Sequence, residues 1–136
     1  MTVYTQTDTA IAIEPRRLLV RLAYATLGVL LLTAIVLEAI KHGTGYWQIG
    51  AFGLGPDVAL FYGVGRGLDK GQLHPRAVVA YNLVHRYWGP LVLAMLASFD
   101  LVSLGFLIGA LAWAFHIALD RAVGYGLRTA DGFQRG

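Results

Sequence analysis

Four long apolar runs take up most of this 136-residue chain. The first, Leu22–Ile40, has Glu38 as its only charge, and the second, Trp47–Val64, carries Gln48, Pro56 and Asp57. The third, Ala77–Phe99, contains Asn82, His85, Arg86 and Pro90; the fourth, Leu101–Leu119, holds His116 and is followed at once by Asp120 and Arg121. As helix each run spans roughly 27–35 Å, against about 30 Å of hydrocarbon in a bilayer. One such run could be the core helix of a soluble domain, but four leave too little polar chain to cover any of them. Composition agrees: 57% of residues are hydrophobic and 14% charged, where soluble domains carry about 25% charged residues. The expected fold is all-α, a membrane-embedded bundle of four transmembrane helices. Residues 1–15 read as a flexible N-terminal tail and 16–136 as a single transmembrane domain. No small-x-small site precedes a polar mature segment, so the first helix reads as uncleaved.

Lys and Arg set the orientation. With four spans, the N-terminal flank, the second connection and the C-terminal flank share one side. They carry Arg16, Arg17, Arg21, Arg66, Lys70, Arg76, Arg121, Arg128 and Arg135; the other side carries only Lys41. Both termini are therefore expected in the cytoplasm and the chain in the inner (plasma) membrane. The net charge of +3 is accounted for by topology and contact with anionic lipid, not by nucleic acid. With no Cys in the chain, disulfides, thiolate metal sites and Cys nucleophiles are excluded.

Ionisable groups inside apolar spans cost at least about 2.5–3.5 kcal/mol each on insertion scales, so they face protein or water and mark function by default. On a helical wheel Gly105, Gly109, Ala112, His116 and Asp120 fall within an arc of about 80°. Gly105 and Gly109 form a GxxxG pair, which admits a neighbouring backbone. Tyr81, His85 and Trp88 share one face of the third run, flanked by Asn82, and Gly50, Gly53 and Asp57 share one face of the second. Asp57 and His85 both lie roughly 10–12 Å inside the cytoplasmic ends of their runs. His116 and Asp120 lie near the cytoplasmic end of theirs. Glu38 is at the opposite end of its helix. Asp57, His85, His116 and Asp120 are thus expected to meet in the cytoplasmic half of the membrane.

Two imidazoles and two carboxylates suit a borderline-to-hard divalent ion: Zn, Mn or Fe. His116 and Asp120, at i and i+4, can reach one ion from one helix face. A bound ion would make water nucleophilic near neutral pH. Two other readings of the same residues are a hydrogen-bonded network that locks the helices together, and a proton or ion relay. Pro90 removes the hydrogen bond to the Arg86 carbonyl and should kink the third helix. Pro75 suits the first turn of that helix, and Asp100 suits the N-cap of the fourth. Arg121 is placed to pair with a carboxylate or to reach the inner interface. His42 and His74 read as solvated loop residues.

The blocks Gly55-Pro56-Asp57, Tyr81-Asn82-Leu83-Val84-His85, Trp113-Ala114-Phe115-His116-Ile117-Ala118-Leu119-Asp120-Arg121-Ala122-Val123-Gly124-Tyr125-Gly126-Leu127 and Asp131-Gly132-Phe133 resemble a small bacterial integral-membrane family. It is the domain of unknown function numbered 4260, and the resemblance covers about residues 20–134. It implies a four-helix membrane protein and supplies no reaction. More loosely, the intramembrane His/Asp pattern is similar to that of membrane-bound metal-dependent hydrolases, an analogy only.

The functional expectation is a metal-dependent, hydrolase-like membrane enzyme on a lipid-proximal substrate. Asp57, His85, His116 and Asp120 would be ligands or acid/base groups, with Tyr81, Asn82 and Arg121 orienting substrate. The alternative is a non-enzymatic membrane module: a proton- or ion-coupled permeation unit, or an accessory subunit. The expected partners are the bilayer, a lipid-like substrate and either a second copy or a membrane partner subunit.

Overall fold

The computed structural model describes residues 14–135. Helix α1 runs from Pro15 to His42, about 42 Å at 1.5 Å per residue. Pro15 opens it, where a missing N–H costs nothing, and Gly43 ends it in the left-handed region at φ 61°. Of the expected tail, residues 1–13 lie outside the described residues, Glu14 is the N-cap and Pro15 is already helical.

The second and third runs are not single helices. Trp47–Val64 divides into α2 (Tyr46–Leu54), a 3-10 turn over Gly55–Asp57, and α3 (Val58–Tyr62). Ala77–Phe99 divides into α4 (Pro75–Val84) and α5 (Trp88–Ser98), joined through His85–Tyr87. A proline lies at or just beyond each break, Pro56 and Pro90, and removes a backbone donor there. The last helix, α6, spans Leu104–Val123. Only α1 and α6, among the described residues, are long and apolar enough to cross a membrane as one helix. Of the four expected transmembrane helices, two are single long helices and the other two runs are divided into shorter ones.

Asp100 has the opposite role to the one expected. Its φ is 56°, its N–H bonds the Ala97 carbonyl at 3.2 Å, and the Leu101 N–H bonds Leu96 at 2.9 Å. That pair of bonds closes the C-terminus of α5, and Ser103 is the N-cap of α6. Pro75 does open α4, and His74 caps it, its Nδ1 accepting from the Arg76 N–H at 3.2 Å. His42 pairs with Glu38 at 3.1 Å, at the far end of α1.

Helix α6 is the hub, packed against α1, α2 and α5. Ile35 and Ala39 of α1 meet Ile108 and Ala112 of α6 in one buried cluster. The GxxxG face takes up α2. A Cβ at Gly109 would stand 2.7 Å from the Phe52 ring, and one at Gly105 would collide with the Gln48 side chain. Gly50 and Gly53 have open space at their Cβ positions, so the Gly50/Gly53/Asp57 face expected from the wheel is not the packed one. The 3-10 turn shifts the phase, and α2 packs through Gln48 and Phe52.

Arg21 donates from Nε to the Ala122 carbonyl and from Nη2 to the Val123 carbonyl, each at 2.8 Å. The start of α1 and the end of α6 therefore lie side by side, and carbonyls left open by the helix end are satisfied. Past Gly124 the chain folds back on the loop before α4, with Leu73 N–H on the Gly132 carbonyl at 2.9 Å. Gly132 sits at φ 97°, and any Cβ there would collide with the Leu73 backbone. The outward faces are apolar: Leu19, Ile40, Phe61 and Leu91 are all more than 60% exposed.

Candidate metal centre

Both breaks fall on candidate ligands. Asp57 is the last residue of the 3-10 turn, and His85 is the residue that ends α4. His116 and Asp120 project from the unbroken α6, one turn apart. Irregular backbone within an apolar segment persists only where protein or a cavity satisfies its polar groups, and here α6 does so. Trp113 Nε1 donates to the Val84 carbonyl at 2.7 Å, and Arg121 Nη2 donates to the His85 carbonyl at 3.0 Å.

The four groups expected to meet do so. His85 Nε2 stands 3.2 Å from His116 Nε2, 3.5 Å from Asp120 Oδ2 and 3.7 Å from Asp57 Oδ1. His116 Nε2 stands 3.5 Å from Asp57 Oδ1 and 3.8 Å from Asp120 Oδ2. Asp57, His85 and His116 form a three-ligand group in which every donor atom lies within 4.8 Å of the others. The His85 side chain is fully buried and that of His116 nearly so, at 9% exposed, while Asp57 is 46% exposed. The site is closed on the imidazole side and open past Asp57.

These spacings discriminate between kinds of contact. Side-chain hydrogen bonds run about 2.7–3.2 Å, so only the contact between the imidazoles falls in that range. Two ligands on one ion at about 2.0–2.1 Å, with tetrahedral angles, stand about 3.3 Å apart. The observed set clusters around that edge length. His85 adds a further sign. Its Nδ1 is 2.8 Å from the Tyr81 carbonyl, which can only accept, so Nδ1 carries a proton and, in the neutral imidazole, Nε2 offers a lone pair. An outer hydrogen bond of this kind fixes the tautomer of metal-binding histidines. Nε2 faces the Asp57 and Asp120 carboxylates, a position for a metal ion or a proton.

Of the residues expected to orient substrate, Tyr81 and Arg121 contact His85. Tyr81 is buried and stacks on the His85 ring, centroids 3.9 Å apart at 18°. Arg121 holds the His85 carbonyl and, through Nη1, the Tyr125 carbonyl at 3.0 Å. Asn82 is turned to the C-terminal segment. Its Nδ2 donates to the Arg128 carbonyl at 2.9 Å and its Oδ1 accepts from the Arg128 N–H at 2.8 Å. Arg128 in turn lies over the Tyr81 ring, 5.1 Å from its centroid. Trp88, expected on the His85 face, is 48% exposed, because the helix breaks between the two.

Sequence reasoning missed Trp113 as the group that fills the α4–α5 break. Gly89 was the available signal, since a Cβ there would stand 2.6 Å from the Trp113 ring.

The chain matches the family described as Domain of unknown function (DUF4260) over residues 19–136. It belongs to that family. Searches of curated proteins and of solved structures found no match. In this DUF4260 member the sequence blocks on which the resemblance rests also build the centre. Gly55-Pro56-Asp57 is the 3-10 turn, and Tyr81 to His85 closes α4. His116 to Gly124 supplies two site residues, Arg121 and the left-handed end of α6 at φ 101°.

Proposed function

We propose that the chain is an integral membrane protein whose Asp57, His85 and His116, with Asp120 beside them, hold one divalent ion near the cytoplasmic face. The bound ion serves hydrolysis of a lipid-proximal substrate. The observation that carries this reading is the spacing of the three ligand atoms, 3.2–3.7 Å: both imidazole–carboxylate distances exceed hydrogen-bond length, and all three are near the edge of a coordination shell.

Two imidazoles and a carboxylate are a three-ligand set of the kind that leaves positions free on catalytic zinc. The same set serves non-haem iron. What the ion supplies when bound is a water of lowered pKa. The chain supplies the rest. Tyr81 and Arg121 fix His85, α6 fixes His116, and the half-exposed Asp57 leaves the approach open. In this reading Asp120, 20% exposed and one turn from His116, takes or returns a proton.

The membrane setting is supported by the two long apolar helices, the apolar outward faces and the Lys/Arg asymmetry. In it the broken segments complete the passage, the bilayer is the main partner, and both termini face the cytoplasm of a bacterial inner membrane.

A second reading rests on the 3.2 Å contact between the two imidazoles. If His116 donates to His85 there, the cluster is a structural or proton-relaying unit of a non-enzymatic module. Zn²⁺ titration of chelator-stripped protein in detergent separates the two. The enzyme reading expects saturation at one ion per chain, abolished in Asp57→Ala and His85→Ala. The structural reading expects no saturable binding.

A further inference from the structure

An open-sided cleft of about 210 Å³ is lined by Ala51, Phe52, Gly55, Pro56, Val84 and Trp113, close in the chain to three of the site residues. We infer that it seats one acyl chain of the substrate, with the polar end of that molecule on Asp57, His85 and His116. The inference deepens the proposed function and rests on its membrane setting.

Position is the first argument. Pro56 directly precedes Asp57, Val84 directly precedes His85, and Trp113 stands three residues before His116. Three wall segments are thus continuous with the three segments that carry ligands. Three residues of α6 cover about 4.5 Å, so an occupant's end lies within a helical turn of the site.

Chemistry is the second argument. No lining side chain offers a free hydrogen-bonding group: the one polar atom, the Trp113 indole nitrogen, is already spent on the Val84 carbonyl. A sugar or a peptide would lose hydrogen bonds to water there without replacement. Phe52 and Trp113 stack at 5.9 Å and 27° into one wall, which suits a hydrocarbon. The volume exceeds the cavity of about 150 Å³ that holds benzene in an apolar core, enough for a short length of alkyl chain. The flank beside the cleft is itself apolar and exposed, with Leu54 73% and Val58 63% exposed. A chain already in the bilayer can therefore slide in sideways without crossing water.

Trp113 reports on the cleft directly. In Trp47→Phe/Trp88→Phe protein it is the remaining tryptophan, and both replaced rings are outward, 63% and 48% exposed. Dibromostearate titrated into this protein in detergent should quench Trp113 saturably, and excess stearate should restore the signal. Gly55→Leu should weaken the quenching at least tenfold, because Gly55 lines the cleft and nothing lies within 4 Å of a Cβ there, so a bulky side chain at the rim is accommodated without a backbone shift. Ala51→Phe provides the same block from α2 should Gly55→Leu fold poorly. Quenching that rises without saturation and is equal in both blocked variants overturns the inference. Metal content of the same samples separates the two proposals. Saturable quenching in protein that never binds metal removes the metal reading and keeps the acyl site. One ion per chain with unsaturable quenching does the reverse.

Discussion

Tyr81 supports His85 twice, once through its backbone and once through its ring. Its carbonyl oxygen accepts the Nδ1 proton at 2.8 Å, and its phenol ring stacks on the imidazole at 3.9 Å. Both contacts come from the i, i+4 spacing at the end of α4, and together they aim Nε2 at His116, Asp57 and Asp120. Removing an outer support of a metal ligand typically costs 10–100-fold in affinity. Tyr81→Ala should therefore weaken metal binding by about that factor through freedom of the ring alone. Tyr81→Phe, which keeps the stack and the carbonyl, should restore nearly all of it. Equal loss in both variants would assign the effect to the hydroxyl instead.

The seam between α2 and α6 depends on two absent side chains. Gly109 leaves 2.7 Å between a would-be Cβ and Phe52, and Gly105 leaves no room beside Gln48. Gly105→Leu with Gly109→Leu should separate α2 from α6 and lower the melting temperature in detergent, since overpacking costs about 1–3 kcal/mol per site. An unchanged melting temperature would mean that this face does not pack in the native protein.

Asn82 holds the C-terminal segment by two bonds to one residue, Arg128, at 2.9 and 2.8 Å. Asn82→Ala should free that segment and make the chain after Leu127 sensitive to limited proteolysis. Metal content should stay near that of the parent, because Asn82 touches none of the four site residues. Loss of metal together with unchanged proteolysis would place Asn82 in the site instead.

The Arg21 bonds to Ala122 and Val123 put the two ends of the bundle together. The Lys/Arg bias supports the proposal that both face the cytoplasm. A reporter fused after Gly136 should be active only inside the cell, and one inserted at Gly43 only outside. A C-terminal reporter active outside would invert the orientation.

The helical class, the packed glycine face and the meeting of Asp57, His85, His116 and Asp120 were all legible in the sequence. Periodicity and depth depend only on helical rise and twist, and α6 keeps both without interruption. The breaks were only half legible. Pro56 and Pro90 announce a lost donor, but an apolar run looks the same whole or divided. The break at His85–Tyr87 is placed by Trp113 and Arg121, which cover its open carbonyls from another helix. The role of Asn82 was hidden for the same reason: its partner lies 46 residues away, and side-chain type alone does not reveal it. Asp100 misled because a short polar residue serves at either end of a helix, and only its φ of 56° decides which.

The central claim is that the donor atoms around His116 bind an ion and do not merely pair with one another. Elemental analysis and melting temperature, taken on the same detergent-purified samples from metal-replete growth, test it at one substitution. The account predicts about one Zn, Mn or Fe per wild-type chain. It predicts none in His116→Gln, which keeps hydrogen-bonding capacity but not the imidazole donor, and a melting temperature lowered by loss of the ion. Wild-type protein free of metal, with His116→Gln as stable as the parent and only His116→Ala destabilised, would contradict it.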